Sequence, residues 1–187
     1  QYPAAQVPTN TPIGTLDNEE PESTFLWGRF SYYWGPLQCV NLSTLDVDSL
    51  TASDHLQGRM RRWLGGTVVN DTKSMDTISL QRDPSPDGAT EGQKTWYDYP
   101  NKGSYGGFDK GEHILPRVVA QVLPDGSTWY QWLRRNDWGA PTNIVETYTQ
   151  PDGTIGQRTN QFIYAANGQD LVLHIGPHGE QVVSNYF

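Results

Sequence analysis

The chain has 187 residues, a mass of 21.0 kDa and a formal net charge of −8, a size typical of one globular domain. The acidic balance argues against nucleic acid and anionic membrane surfaces as partners, and no apolar run approaches the roughly 20 residues of a membrane-spanning helix. Cys39 is the single cysteine, which excludes an internal disulfide and a four-cysteine zinc site. The 19 Gly and 13 Pro favour many short strands, so the composition predicts an all-β fold.

The sequence divides into three segments of different character. Residues 1–23 are rich in Pro, Thr and acidic side chains and predict an extended arm, because the prolines interrupt any helix or long strand. Residues 24–94 predict a β-rich N-terminal segment. Its first part, residues 24–40, is dense in aromatic side chains around Gly and Pro, and predicts two short strands joined by turns. Residues 95–187 predict repeated β-hairpins.

Residues 53–66 fit two structures equally well. Ser53 is suited to begin a helix that would place Leu56, Met60 and Leu64 on one stripe before two glycines. The alternative is a strand. Farther along, short β-like segments at 67–69 and 77–82 precede a loop rich in Pro, Asp and Gly at 83–88.

An internal repeat marks the C-terminal segment. Pro-x-Gly turns recur with their glycines, Gly126, Gly153 and Gly179, 27 and 26 residues apart, and Asn-type turns fall roughly midway between them. Proline fixes φ near −65°, glycine supplies positive φ, and Asn or Asp tolerates the left-handed region, so both turn types reverse the chain at low cost. The residues predicted to make these turns are Asp125, Gly126, Gly139, Asp152, Gly153, Asn167, Gly168 and Gly179.

The repeat resembles the Rhs/YD-repeat family of bacterial proteins. The resemblance rests on Tyr97-Asp98, on the run from Tyr164 to Leu171 (YAANGQDL), on the Pro-Asp-Gly turns, and on residues 57–64, 80–88 and 92–98, and it covers roughly residues 57–187. It implies a ribbon of antiparallel β-hairpins wound into a spiral, and it favours the strand interpretation of residues 53–66. We also expect the aromatic N-terminal segment to pack on the ribbon as an extra layer.

The resemblance implies a structural role without catalysis or a cofactor. Members of the family form hollow shells around other polypeptides or extracellular adhesive structures, so we expect a secreted or cell-surface bacterial location. The terminal motif with catalytic aspartates of self-cleaving members has no match here. Because about three hairpin units cannot close a shell, the open strands are expected to pair with further copies or with neighbouring segments of a longer repeat protein.

A binding module and an enzyme are the two competing interpretations. Trp129 and Trp132 are candidate glycan-binding residues, because they cannot both face the same side of the strand as Tyr130 and an exposed indole stacks on sugar rings. Acidic residues could form a glycosidase pair: Asp98, Asp109, Glu112 and Asp125. The turn and Tyr-Asp patterns explain Asp98 and Asp125 better.

Two isolated features carry little weight as chemical sites. His174 and His178 have a zinc-like spacing but no cysteine partners, and the second histidine falls in a turn. We therefore expect no metal site there. Cys39 lies in an aromatic run and is expected to be a buried, inert thiol.

Overall fold

The structure, a computed structural model, describes residues 29–65, 74–102, 113–123 and 127–184. These residues form one ten-stranded antiparallel sheet in which each strand pairs with its neighbours in sequence, from β1 to β10. The strands are β1 Phe30–Tyr33, β2 Arg59–Gly65, β3 Ser74–Arg82, β4 Lys94–Asp98, β5 Val118–Val122, β6 Thr128–Arg135, β7 Pro141–Thr149, β8 Ile155–Tyr164, β9 Leu171–Ile175 and β10 Gln181–Val183.

The expectation of an all-β fold is confirmed by this sheet. Its topology is a continuous meander of antiparallel strands. The reversals from β6 onward are short, whereas residues 34–58 separate β1 from β2 and residues 99–117 separate β4 from β5. β3 pairs with β4, so the sheet runs without interruption across the boundary predicted at residue 94. Several sequence predictions lie outside the described residues: the arm at 1–23, the strand at 67–69 and the turn at 124–126.

The two strands predicted within residues 24–40 are found only in part, and residues 24–28 lie outside the described residues. Phe30–Tyr33 forms β1, but the chain then enters helix α1 at Pro36–Val40. Gly35 is the N-cap residue and proline occupies the first helical turn, where its missing N–H costs nothing. β1 pairs with β2 and so belongs to the same sheet as the other strands. The described residues therefore show no separate aromatic layer.

Residues 53–66 form a helix followed by a strand. Helix α2 spans Ala52–Gln57, and its N-cap is Thr51, which forms a capping box with Asp54. The helical alternative therefore holds for these residues only, with its cap at Thr51 in place of Ser53. The helix ends at Gly58. Met60 and Leu64 therefore lie on β2, and both are buried. Met60 is buried between exposed Arg59 and Arg61, as the two-residue period of a strand requires.

The apolar core lies on one face of the strands from β2 to β6. Met60, Leu80 and Trp96 form one cluster, and Phe30 and Tyr32 of β1 pack against it. A second cluster consists of Val118, Ala120 and Tyr130, with Trp132 packed beside it. We call this side of the sheet the core face and the other side the outer face.

Burial declines along the C-terminal strands. Within β7 to β10, the side chain of Thr147 is 4% exposed, whereas Ile155, Val182 and Val183 are 49%, 59% and 66% exposed. Thr147 Oγ1 also accepts a 2.8 Å hydrogen bond from the Tyr130 backbone N–H. The last strands thus present apolar side chains to solvent.

Candidate functional site

The predicted Pro-x-Gly turns share one hydrogen-bonding frame. In the turn between β7 and β8, Gln150 N–H donates to Thr154 O at 2.8 Å and Gly153 N–H donates to Gln150 O at 2.9 Å. In the turn between β9 and β10, the corresponding bonds run from Gly176 to Glu180 at 2.8 Å and from Gly179 to Gly176 at 3.0 Å. Gly153 and Gly179 have φ of 83° and 82°, the left-handed conformation that closes a three-residue hairpin loop.

The acidic side chain of the first turn stabilises the same reversal. Asp152 Oδ1 accepts hydrogen bonds from Thr154 Oγ1 at 2.7 Å and Thr154 N–H at 2.9 Å. These bonds favour the charged carboxylate and lower the pKa of Asp152. Asp125 and Gly126 lie outside the described residues, although the flanking Leu123 N–H donates to Ser127 O at 2.8 Å in the same frame.

The Asn-type turns lie at the opposite ends of these strands. Between β6 and β7, Gly139 has φ of 81° and donates its N–H to Asn136 O at 2.9 Å. Between β8 and β9, Gly168 has φ of 70°, and Asn167 Oδ1 accepts hydrogen bonds from the backbone of Gln169 and Asp170. The second loop is one residue longer, because Ala165 N–H pairs with Asp170 O.

These two Asn-type turns contact one another directly. Asn136 Nδ2 donates to Gly168 O at 2.7 Å across 32 residues of sequence. A Cβ atom at Gly168 would lie 2.6 Å from Cδ1 of Trp138, so the absence of a side chain lets the indole approach the backbone. The sequence placed Asn136 and Trp138 in a turn but did not indicate their contact with Gly168. The available signal was that alternate turns of a meander lie at the same end of the sheet.

The two candidate glycan-binding tryptophans, Trp129 and Trp132, lie on opposite faces of the sheet. Trp132 is paired with Val118 and shares the core face with Tyr130. Trp129 is paired with Gln121 and, three positions away on an unbulged part of β6, points to the outer face. The two indoles therefore cannot bind one sugar together.

The Tyr97-Asp98 pair supplies a buried counter-ion. The Asp98 carboxylate has no exposed surface; it lies 2.7 Å from Arg117 Nε and 3.6 Å from Lys102 Nζ. Lys102 is itself 1% exposed, so both partners of that pair are removed from water. This cluster ties the end of β4 to the residue preceding β5. Asp98 thus stabilises the connection between β4 and β5 through buried ion pairs.

His174 and His178 lie in different surroundings. His174 Nε2 lies 3.0 Å from Asn160 Oδ1 and its ring stacks on Phe162 at 4.7 Å, whereas His178 belongs to an exposed turn. No group of three or more His, Cys, Asp or Glu side chains able to hold a metal occurs within the described residues. Asp109 and Glu112 are not among these residues.

The expectation that Cys39 is buried is wrong. The thiol is exposed on helix α1, with Sγ 3.6 Å from the backbone oxygen of Trp34. The aromatic run packs through other side chains: Tyr32 stacks on Trp34 at 5.7 Å, and Trp34 contacts His55 at 5.8 Å. Cys39 therefore contacts only the backbone of Trp34 in this hydrogen bond and remains exposed to solvent.

Strand β10 is an edge of the sheet in the part of the chain that the structure describes. It pairs with β9 alone. Gly176 N–H donates to Glu180 O, and Ser184 N–H donates to Val172 O, so the backbones of Glu180 and Ser184 face β9. In an antiparallel pair every second residue of a strand faces its partner in this way. Val182 therefore directs its backbone groups toward β9, whereas Val183 directs its N–H and C=O away from the sheet. This open backbone can accept another strand.

Comparison with known proteins gives no family assignment: neither a protein-family model nor a curated protein sequence matches the chain. Within the described residues, no helix is both long and apolar enough to cross a membrane.

Proposed function

We propose that this chain is a non-catalytic structural element of a secreted or cell-surface bacterial protein of the Rhs/YD-repeat type. Its strands form part of a longer wall, fibre or shell by pairing edge to edge with further copies or with neighbouring repeat segments. In this proposal the ten-stranded meander is one portion of a hairpin ribbon that winds into a spiral. The observation that carries the proposal is the combination of recurrent glycine turns with an open, apolar edge strand.

The turn geometry supports a modular ribbon. Gly139, Gly153 and Gly179 have φ between 81° and 83° and close the same three-residue loop, so these three hairpins are built by the same local rule. A ribbon of this kind grows by adding hairpins, because each unit contacts mainly its neighbours. The Tyr-Asp and Asn-Gly signatures that suggested the family fall on the structural elements of this ribbon, at β4 and in the turn between β8 and β9.

The exposed edge supports association. An unpaired strand presents a row of N–H and C=O groups that template pairing with another strand. The side chains of Val182 and Val183 are 59% and 66% exposed and lie on opposite faces of β10. A pairing strand would cover apolar surface on both faces while it satisfies the backbone. Burial of this surface contributes roughly 25 cal/mol per Å² to the association.

The decisive variant is Val183→Pro. Proline removes the N–H that points away from β9 and leaves the ladder between β9 and β10 intact, because the ladder uses the backbone of Val182. Sedimentation velocity over a wide range of protein concentration should show assemblies for the unsubstituted chain and mainly monomers for Val183→Pro.

Val183→Thr is the matched control, since it keeps a β-branched side chain and the backbone donor. It should assemble like the unsubstituted chain. Far-UV circular dichroism checks that each variant retains its sheet. A folded Val183→Pro chain that assembles to the same extent, or an unsubstituted chain that stays monomeric at every concentration, would refute edge pairing through β10.

A further inference from the structure

We propose that a groove beside the Asn136 turn binds acidic saccharides, whose rings carry carboxylate groups. The groove has a volume of about 830 Å³, within the range of roughly 300–1,000 Å³ that small-ligand sites occupy. Its wall includes Trp132, Trp138, Arg134 and Arg135, and we call it the arginine-tryptophan groove. This proposal does not depend on edge association.

Trp138 supplies a fixed and accessible aromatic surface. The side chain is 67% exposed, although its position in the turn is constrained. Its backbone N–H donates to Asn136 Oδ1 at 3.1 Å, and its ring lies against the backbone of Gly168. An indole held in place with a face open to solvent is suited to the C–H surface of a sugar ring, since little conformational entropy is lost on stacking.

Two arginines give the groove its preference for anions. Within the described residues neither Arg134 nor Arg135 forms an ion pair with a carboxylate. The Arg134 guanidinium lies 4.7 Å from the centroid of Trp132, and the buried Nε of Arg135 has no hydrogen-bond partner. A guanidinium matches a carboxylate with two parallel hydrogen bonds. Arg135 Nη1 also donates a hydrogen bond to Gly139 O at 2.9 Å, so the exposed Arg134 is the more available of the two cations. Among the described residues of the wall there is one carboxylate, that of Asp137, and the two arginines outnumber it in a chain of net charge −8.

The backbone favours a saccharide over an acidic peptide as the occupant. An extended peptide binds a sheet through unpaired main-chain groups. The turn that borders the groove offers few donors, because the N–H groups of Asn136, Trp138, Gly139 and Ala140 all bond within the turn. Recognition therefore falls to side chains: the indoles for the ring and the guanidinium groups for the carboxylate.

Titration calorimetry with a hexamer of galacturonic acid tests the proposal on the full chain. Saturable binding is expected, with affinity that falls as salt rises, because the arginines are accessible to counter-ions. The methyl-esterified hexamer has the same rings without the charge and should bind about tenfold or more weakly, which is the loss of a charged hydrogen bond. Equal binding of the esterified hexamer, equally tight binding of hexaglutamate, or no binding of galacturonate would overturn it.

Matched variants locate the site. Arg134→Gln removes an exposed charge of the groove and should weaken binding about tenfold. Arg158→Gln removes the same charge on β8, where the side chain pairs with Glu146, and should leave the affinity unchanged. Trp138→Ala should abolish ring stacking. Equal effects of Arg134→Gln and Arg158→Gln would refute the assignment even if Trp138→Ala fails to fold. Val183→Pro should bind normally, which separates this site from edge assembly.

Discussion

The contact between the two Asn-type turns predicts that equivalent turn glycines differ in their sensitivity to substitution. Gly153→Ala places a Cβ in open space, so its cost is the left-handed backbone alone, about 1–2 kcal/mol. Gly168→Ala has a similar φ but brings the Cβ within 2.6 Å of Trp138 Cδ1. Displacing the indole and straining the Asn136 bond should add about 1–3 kcal/mol to the loss of stability.

Thermal unfolding monitored by circular dichroism measures both variants. Each kcal/mol corresponds to about 2–4 °C in Tm for a chain of this size. The same Gly168→Ala change made in a Trp138→Ala background removes the close contact, so there it should cost no more than Gly153→Ala. The reasoning fails if Gly168→Ala and Gly153→Ala are equally destabilising, or if the cost at Gly168 is the same with and without the indole.

Two predictions concern carboxylates with built-in partners. Asp98→Ala should destabilise the chain by about 3–5 kcal/mol in urea unfolding, because it removes the buried carboxylate that pairs with Arg117 and Lys102. Asp137→Ala, at an exposed turn position, should change stability by no more than about 0.5 kcal/mol, and similar effects of the two would contradict this. The pKa of Asp54 is held below its usual range by hydrogen bonds from the side chains of Ser43 and Thr51 and, to a smaller extent, from their backbone N–H groups. The charged Asp54 carboxylate therefore contributes to stability above about pH 4, and this contribution is lost as the pH falls further. Stability should therefore fall more steeply in acid for the unsubstituted chain than for Asp54→Asn, and parallel profiles would refute this role.

Local chemistry explains which parts of the fold could be predicted from the sequence. These tight turns require positive φ at one position, and glycine adopts it at the lowest cost whatever surrounds it. Gly139, Gly153 and Gly179 therefore predict the chain reversals from local sequence alone. Strand alternation in β9 is equally local, since Leu171 and Leu173 share a face by the two-residue period alone.

The sequence did not indicate helix α1, and the helical alternative for residues 53–66 placed its cap two residues too late, because neighbouring signals compete. The aromatic run around Pro36 favours strands by propensity, but proline and the preceding Gly35 form a better helix start. Thr51 and Asp54 make a reciprocal cap that outweighs the weaker signal of Ser53.

Non-local contacts account for the features of the candidate site that escaped prediction. Asn136 and Gly168 are 32 residues apart in sequence, and Asp98 and Arg117 are 19 apart. Such contacts cannot be inferred from sequence spacing unless the register of the sheet is known. The division of Trp129 and Trp132 between two faces follows from strand parity. Trp138 is held by a contact between its own turn and the turn at Gly168, and the two turns are neighbours only because of the strand order of the sheet.

Electron microscopy of the purified chain across a concentration series tests the central claim most directly. If hairpin ribbons join through strands such as β10, the images will contain elongated or curved assemblies that lengthen with concentration and shorten in Val183→Pro. Separate compact particles of one size at every concentration would contradict a structural role through edge pairing.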